Sequence, residues 1–520
     1  MAVELLPAGA TPVPYPLAER IPEILVGPDS DLDGLRVVVT GLGVSGYPMA
    51  VHLAERGARV IVVDGDTQRD LSEHIRILEV FDVDIRRGVE HTRTLPDFDG
   101  LPPQLVCTSP GWRPDQPLLL AARAAGVPVI GEVELAWRVR GANQAPWLVV
   151  TGTNGKTTTT SLLAAMLTAG GCEARACGNI GAPLLEAVLD PTAEVLAIEL
   201  SSFQLHWEHS MCAHSAVVLN LAEDHLDWHG GLAAYGADKA KVYANVGHTA
   251  VYNTADPATL HMVEQAEVLP GARAVGFTVG APLVGQIGLI EDILVDRAFT
   301  PHRYSAAAEL ATLDDVSVAL GVPADHLAPH HVANVAAAAA LARSFGVEPA
   351  AVRAGLLAHH PGDHRGTVVG TVDGVAFIDD SKATNPHAAA ADLAARERLV
   401  WVAGGLAKGA DMHDLVAEHA ARLAGVVLIG RDPAPFASAL AENAPRVPVV
   451  RIDPASLPAD PADPAARGTE VMRAAVRAGA QLAGPGIPVV LAPAAASMDQ
   501  FLNYATRGDL FAAAVRDLED

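Results

Sequence analysis

Short apolar runs recur along the chain. Each is followed by a glycine-rich or polar turn and then by an alanine- and leucine-rich stretch. Residues 36–39, 60–63, 147–150, 195–199, 216–220, 400–403, 426–429 and 489–492 carry such runs, and residues 375–378 carry another after a turn at Asp373-Gly374. Unbroken apolar runs of this length read as strands buried on both faces, the signature of a parallel sheet. The intervening stretches read as helices, a long alanine-rich one among them over about residues 332–345. Strands alternating with helices predict an α/β protein. Residues 275–328 carry weaker signals and read as an elaborated region. The Ala/Pro/Asp-rich run 453–468 reads as a surface loop, residues 140–146 and 359–366 as linkers, and the Pro/Gly-rich residues 1–34 as a mobile leader.

Two of the turns have chemical meaning. Thr151-Gly152-Thr153-Asn154-Gly155-Lys156-Thr157-Thr158 lies between the strand 147–150 and a helix beginning near Ser161. Glycines there let backbone N–H groups close on phosphate oxygens, and the helix N-terminus adds positive potential. Lys156 is placed to neutralise β- and γ-phosphates and Thr157 to offer its hydroxyl to Mg²⁺. Only Thr153 and Asn154 separate the two glycines, against four residues in the common pattern. The second turn, Gly41-Leu42-Gly43-Val44-Ser45-Gly46, joins the first strand to a helix with Pro48 in its first turn, and Asp64 ends the next strand. This dinucleotide-type fingerprint implies a phosphorylated ligand or simply a tight βα turn, and does not by itself specify NAD.

At 520 residues, half of them hydrophobic, the chain is long enough for two to four domains with sizeable cores. A formal charge of −25 argues against nucleic acid or anionic membrane as a partner. No run of 18 apolar residues predicts a membrane span, and no basic-then-apolar leader predicts secretion. The four cysteines, Cys107, Cys172, Cys177 and Cys212, are too scattered for a disulfide framework and suit a reducing cytoplasm.

Other polar clusters stand at strand ends, where an open parallel sheet gathers its ligands. Glu199 and His225 follow two strands of the central region. A lone strand-end His usually caps or packs, but beside a phosphate loop a carboxylate and an imidazole can hold a second Mg²⁺. Lys239 reads as a solvated helix lysine. The turn Asp379-Asp380-Ser381-Lys382-Ala383-Thr384-Asn385 reads equally well as a polar loop or as a site.

With these motifs in view, the chain resembles the Mur ligases, ATP-dependent amide-forming enzymes of peptidoglycan precursor synthesis, and within them the D-glutamate-adding branch. The segment 151–158 is shared across the family. Gly178-Asn179-Ile180-Gly181, the run Glu199-Leu200-Ser201-Ser202-Phe203-Gln204-Leu205 and the run Glu223-Asp224-His225-Leu226-Asp227 are more specific. Asp380-Ser381-Lys382-Ala383-Thr384-Asn385 and Ser497-Met498-Asp499-Gln500-Phe501 point to the D-glutamate branch.

The resemblance implies three domains behind the leader 1–34: a Rossmann-like UDP-binding domain over 35–136, a P-loop ATPase-like domain over 137–361, and a Rossmann-like closing domain over 362–520. It implies ATP, two Mg²⁺ sites, and UDP-N-acetylmuramoyl-L-alanine and D-glutamate as small-molecule substrates of a cytoplasmic monomer. Lys156, Lys239, His225 and Glu199 are the implied catalytic residues, with Lys239 carbamylated. Thr157, Glu199, His225 and the Lys239 carbamate are the implied metal ligands. Gly152, Thr153, Asn154, Gly155, Lys156, Thr157, Thr158, Asn334, Arg365 and Asp380 match ATP positions. Val44, Ser45, Asp64, Ser109 and Gly111 match the UDP side, and Asn179, Ser201 and Gln204 the muramoyl-alanine side. Lys382, Thr384, Lys408, Ser497, Met498 and Tyr504 match the amino-acid side, Tyr504 adding a hydroxyl where relatives often carry Phe. Gly65-Asp66 departs from the Thr-Arg that relatives place after the acid.

Overall fold

The computed structural model describes residues 21–519 apart from residues 24, 26, 28, 141–144, 323, 325, 326, 361, 363 and 459–463. The chain forms two compact units. The first comprises residues up to 221 with 230–315 and 333–359; the second comprises 222–229, 316–332 and 360 onward.

The first unit contains two sheets. One is the parallel sheet of β1 (Arg36–Thr40), β2 (Arg59–Asp64), β3 (Asp84–Arg87), β4 (Leu105–Thr108) and β5 (Val129–Gly131), in the order β3-β2-β1-β4-β5. Strand order reverses on either side of β1, and the glycine turn after β1 opens at that switch point, where such sheets bind ligands. Val37, Val38 and Val39 are fully buried, as a central parallel strand requires.

Part of the expected leader 1–34 packs against the first sheet. Residues 1–20 lie outside the described residues, but Ile21, Leu25 and Leu32 are buried in the core beneath this sheet. Gly27 N donates to Arg138 O at 3.0 Å and Leu32 N to Arg56 O at 2.8 Å. Isolated apolar residues among prolines and glycines show no period, yet each fills a site on a surface built by other elements. Of the expected linker 140–146, residues 141–144 lie outside the described residues.

The second sheet comprises β6 (Trp147–Thr151), β7 (Ala174–Gly178), β8 (Val195–Glu199), β9 (Ser215–Val218), β10 (Thr249–Asn253), β11 (Arg273–Phe277), β12 (Gln286–Ile290), β13 (Ile293–Asp296) and β14 (Ala308–Thr312). Its order is β14-β13-β12-β11-β10-β9-β6-β8-β7. Thus β6 lies between β8 and β9, and the carboxyl ends of these three parallel strands are neighbours. The elaborated region proves to extend the sheet: β12 continues it in parallel, and β13 and β14 add antiparallel strands. The turn between β12 and β13 places Glu291 at φ +57, so a left-handed position is filled without glycine.

The second unit is built on β15 (Thr367–Val372), β16 (Val375–Asp379), β17 (Leu399–Gly404), β18 (Leu423–Ile429), β19 (Val449–Arg451) and β20 (Val489–Leu491), in the order β15-β16-β20-β17-β18-β19. β15 and β16 form a hairpin at Asp373-Gly374, both with positive φ; the other pairings are parallel. The expected loop 453–468 is a correction: a short 3₁₀ turn, Pro454–Ser456, opens it, residues 459–463 lie outside the described residues, and a helix runs from Pro464 to Leu482. Proline is compatible with the first position of a helix, so the proline that suggested a loop marks a helix start. No helix among the described residues is long and apolar enough to cross a membrane.

Candidate active site

The phosphate loop takes its shape from two glycines and one asparagine. Gly152 has φ +151, and a Cβ there would lie 2.9 Å from Leu219 Cβ. Gly155 has φ +82 and precedes the helix Lys156–Ala169. Asn220, just past β9, fastens the loop from outside: its carbonyl accepts from Thr153 N at 3.1 Å, its Oδ1 from Asn154 N at 2.9 Å, and its Nδ2 donates to Asn154 O at 3.1 Å. The shortened glycine spacing is thus supported by a neighbouring strand end. Thr157 and Thr158 stand half-buried in the first helical turn, and Asn334 packs its side chain against Gly155.

Lys156 Nζ donates to Gly152 O at 2.9 Å and to Thr153 O at 2.8 Å. Lys239 Nζ donates to the same Gly152 carbonyl at 2.8 Å. Lys239 is 1% exposed, and its Nζ lies 4.4 Å from the centroid of the Tyr235 ring. The expectation of a solvated helix lysine is therefore corrected. Its helix, Leu232–Ala240, turns the face bearing Tyr235 and Lys239 onto the phosphate loop, and Tyr235 Oη donates to Thr153 Oγ1 at 3.3 Å.

Glu199 ends β8 beside the loop and is 1% exposed. Its Oε1 accepts from Asn179 Nδ2 at 2.8 Å, and its carbonyl from Asn179 N at 2.8 Å. Its Oε2 is buried with no hydrogen-bond partner. A buried carboxylate oxygen costs free energy unless paired, and pairing with a cation removes that cost. Ser201 and Gln204 form a capping box on the helix Ser202–His206: Ser201 N donates to Gln204 Oε1 at 2.9 Å and Gln204 N to Ser201 Oγ at 3.3 Å.

In the first sheet, Asp64 closes the glycine turn. Leu42 N donates to its Oδ2 at 2.6 Å and Asp66 N to its Oδ1 at 2.7 Å. The departure at Gly65-Asp66 is thus accommodated as a turn that the acid itself caps, with Arg87 Nη2 donating to Asp66 O at 2.7 Å. Gly46 is obligatory, since a Cβ would meet Gly41 O at 1.9 Å. Ser109 Oγ is buried without a partner, 2.8 Å from the position of a Cβ on Gly41. Val44 is exposed at the tip of the turn and Gly111 is exposed nearby in sequence.

In the second unit, the turn after β16 is fastened by Arg507, which the sequence reading did not single out. Arg507 is fully buried; it donates to Ser381 Oγ at 2.9 Å, Ser381 O at 2.7 Å and Ala495 O at 3.0 Å. Burial lowers its pKa to about 10. Asp379 takes His364 Nδ1 at 2.6 Å and Ser381 N at 2.9 Å. Burial, together with the neighbouring Asp392, holds the Asp380 carboxyl well above the usual carboxylate range, while Arg365 acts the other way. Lys382 Nζ donates to Tyr504 Oη at 3.3 Å, so the hydroxyl that replaces the expected Phe pairs with a lysine. Thr384 N donates to Lys382 O at 2.8 Å. Ser497 is buried, Met498 is exposed, and Ser497 O accepts from Phe501 N at 2.9 Å. Lys408 Nζ donates to His225 Nδ1 at 3.3 Å; both residues have positive φ, +52 and +54.

A glycine–lysine phosphate loop at the end of parallel strands, in a chain that carries two further α/β sheets, defines a multi-sheet nucleotide-binding protein. Three family models match successive parts of the chain: the Mur ligase MurD-like N-terminal domain over residues 35–131, the Mur ligase middle domain over 150–342, and the Mur ligase glutamate ligase domain over 364–495. The UDP-N-acetylmuramoylalanine--D-glutamate ligase of Streptomyces avermitilis is 53% identical over 93% of this chain and 98% of its own. Those of Thermobifida fusca and Mycolicibacterium smegmatis are 51% and 47% identical, over 94% and 93% of this chain and 99% and 97% of theirs. The chain belongs to the Mur ligase family. Among solved structures, MurF from Acinetobacter baumannii has a TM-score of 0.55 at 16% identity, covering 93% of this chain and 94% of its own. UDP-N-acetylmuramate-alanine ligase from Thermotoga maritima has 0.53 at 16%, covering 93% and 99%. These two share the fold.

Proposed function

We propose that this chain is an ATP-dependent ligase that joins the L-alanyl carboxylate of UDP-N-acetylmuramoyl-L-alanine to the amine of D-glutamate, in peptidoglycan precursor synthesis. Residues 35–136 take the UDP moiety, 137–361 hold ATP, and 362–520 close with D-glutamate. The observation that carries this reading within the site is the pair of lysines, Lys156 and Lys239, gathered on one carbonyl of the phosphate loop. The high identity to D-glutamate ligases along nearly the whole chain supports the choice of amino acid.

A carboxylate is a poor electrophile, so it is first phosphorylated. Its oxygen attacks the γ-phosphorus, the bond to the β-bridging oxygen breaks, and ADP leaves with that electron pair. The neutral D-glutamate amine then adds to the acyl carbon. The tetrahedral intermediate expels phosphate, and the amine proton passes to solvent. Lys156 leaves its two carbonyls to face the β- and γ-phosphates, and the loop N–H groups hold the transferring charge in a fixed frame. The unpartnered Oε2 of Glu199 fits a divalent cation. Thr157 and Glu199 would serve the Mg²⁺ sites, with His225 on the second metal and a Lys239 carbamate as a further oxygen ligand. Magnesium there supplies neutralisation of phosphoryl charge. The carbamate requires neutral Nζ to attack CO₂ and release a proton. Arg365 and Asp380 serve the nucleotide; Lys382, Thr384, Lys408, Ser497, Met498 and Tyr504 line the D-glutamate side.

The reading is tested by phosphate release in an amino-acid panel. Turnover should require ATP, UDP-N-acetylmuramoyl-L-alanine and D-glutamate together. Turnover with L-lysine or meso-diaminopimelate and none with D-glutamate would sink it. The cytoplasmic, monomeric state is part of the same proposal, and sedimentation of the purified chain checks the monomer.

A further inference from the structure

The first turn of the helix Glu132–Val139 carries two carboxylates into the interior of the first unit. Glu132 is 2% exposed and Glu134 is fully buried. Moving a carboxylate out of water costs several kcal/mol, even in real proteins after relaxation. An apolar residue would fill either position without that cost, so the partners of these two acids matter.

Glu132 reaches two segments. Its Oε1 accepts from Leu185 N at 3.3 Å, and burial raises its pKa while the nearby Ser45 hydroxyl and the Leu185 and Leu184 amides act the other way. Ser45 stands at the N-cap of the helix Gly46–Glu55 and makes no capping bond with its side chain. Leu184 and Leu185 open the helix Leu184–Leu189, directly after the Gly178-Asn179-Ile180-Gly181 turn. Glu134 reaches a third segment: its Oε2 accepts from His209 N and Ser210 N, both at 2.9 Å, and its Oε1 from Ser210 Oγ at 2.7 Å and Arg138 Nε at 2.5 Å. That segment follows the Ser201–Gln204 capping box. One helical turn, standing beside the glycine turn of the first sheet, therefore grips the two segments that carry Asn179, Ser201 and Gln204 from the second.

We propose that Glu132 and Glu134 are positioning residues that register the glycine turn at Val44-Ser45 against the Asn179 and Ser201–Gln204 segments, so that the two ends of one long nucleotide-sugar substrate are bound at a fixed separation. The proposal rests on the reading above that these segments serve the UDP and muramoyl-alanine ends. Neither acid touches substrate. Directional hydrogen bonds set the spacing between the two sheets more sharply than apolar packing, which tolerates sliding. A ligand that occupies only one end is indifferent to the spacing.

Calorimetric titration of the full-length chain with UDP and with UDP-N-acetylmuramoyl-L-alanine tests this. Glu132→Gln keeps the volume but replaces one acceptor oxygen with a donor. It should weaken the muramoyl ligand about ten-fold and leave UDP within two-fold, with the KM for ATP unchanged. Glu132→Asp, which keeps the charge, should recover part of the loss. Parallel weakening of both ligands, or no change in either, would overturn the proposal. Should Glu132→Gln not fold, Ser210→Ala removes a single bond to Glu134 and carries the same test: a loss of about three-fold confined to the muramoyl ligand supports registration, and its absence refutes it. Wild-type chain that binds both ligands but incorporates no D-glutamate overturns the assigned reaction and leaves the registration standing.

Discussion

Substituting Gly155 by alanine separates two contributions to the shape of the phosphate loop. At φ +82 a Cβ would sit 2.3 Å from Asn334 Oδ1 and 3.0 Å from its Cγ. The left-handed conformation costs an alanine about 1–2 kcal/mol. Two heavy atoms cannot remain 2.3 Å apart, so the Asn334 side chain, 7% exposed and packed, must leave its well. An off-rotamer shift adds about 0.5–1.5 kcal/mol. Gly155→Ala should therefore destabilise the chain by about 1.5–3.5 kcal/mol. Urea unfolding followed by tryptophan fluorescence measures it, with ATP affinity measured alongside. Asn334→Ala removes the obstacle without touching the backbone. In the double variant the steric part should vanish and the conformational part persist, giving a favourable coupling of about 0.5–1.5 kcal/mol in the double-mutant cycle. Additive losses would show that Asn334 yields freely and that backbone conformation alone demands glycine. A Gly155→Ala variant within about 0.5 kcal/mol of wild type, the spread of an ordinary surface change, would refute the reasoning.

Three further outcomes follow from the site. Lys239→Ala should abolish turnover, and depletion of CO₂ and bicarbonate should lower wild-type activity reversibly; full activity of the variant would remove the carbamate. Glu199→Gln should lose the extra thermal stability that Mg²⁺ with ATP confers on wild type, about 2.7 kcal/mol at a hundred-fold excess over Kd. An undiminished shift in calorimetric Tm would take Glu199 out of the metal site. Glu208, buried beside Glu134, is pushed up to about 8 from an ordinary 4.5, by burial first and then by Glu134, against Lys241. Both states are protonated below the unfolded value, so its contribution is intact there. As pH rises the unfolded chain ionises first, and stability is lost at up to about 1.4 kcal/mol per pH unit until the folded value is passed. Relative to Glu208→Gln, wild type should lose stability between pH 5 and 8, and parallel pH profiles of the two in urea unfolding would contradict it.

The fold was legible wherever the chain had to bury a strand on both faces. Unbroken apolar runs marked β1, β2, β6, β8, β9, β16, β17, β18 and β20, because central parallel strands leave no room for polar alternation. Legibility failed at β12–β14, where a half-covered antiparallel extension turns through Glu291 rather than through a glycine. It failed again at Pro464, where a helix start and a loop have the same composition. The phosphate loop was legible because it is local: strand, glycines, lysine and helix are contiguous, and backbone geometry does the binding.

The rest of the site is not local, and its charged members show why sequence reading stops there. Lys239, Glu132, Glu134 and Arg507 are each less than 3% exposed, yet in sequence they look like any solvated charge. A periodic pattern predicts burial through its apolar positions, so a charge on the inner face reads as a break in the period instead of as a buried group. The one available clue for Lys239 was Tyr235, four residues earlier and so on the same helix face. That spacing says the two share a face; it cannot say that the face meets Gly152. Asn220 and Arg507 gave less, since each acts through carbonyl or amide groups of segments remote in sequence. Burying these charges demands compensation: Lys239 is held by Gly152 O, Glu132 by Leu185 N, Glu134 by His209 N and Ser210 N, and Arg507 by Ser381 O and Ala495 O, while the equally buried Glu199 pairs with the Asn179 side chain and keeps one oxygen unpartnered. The same chain that hides these residues from periodicity thus exposes them once their partners are known: a charge taken out of water is held where a loop must not move.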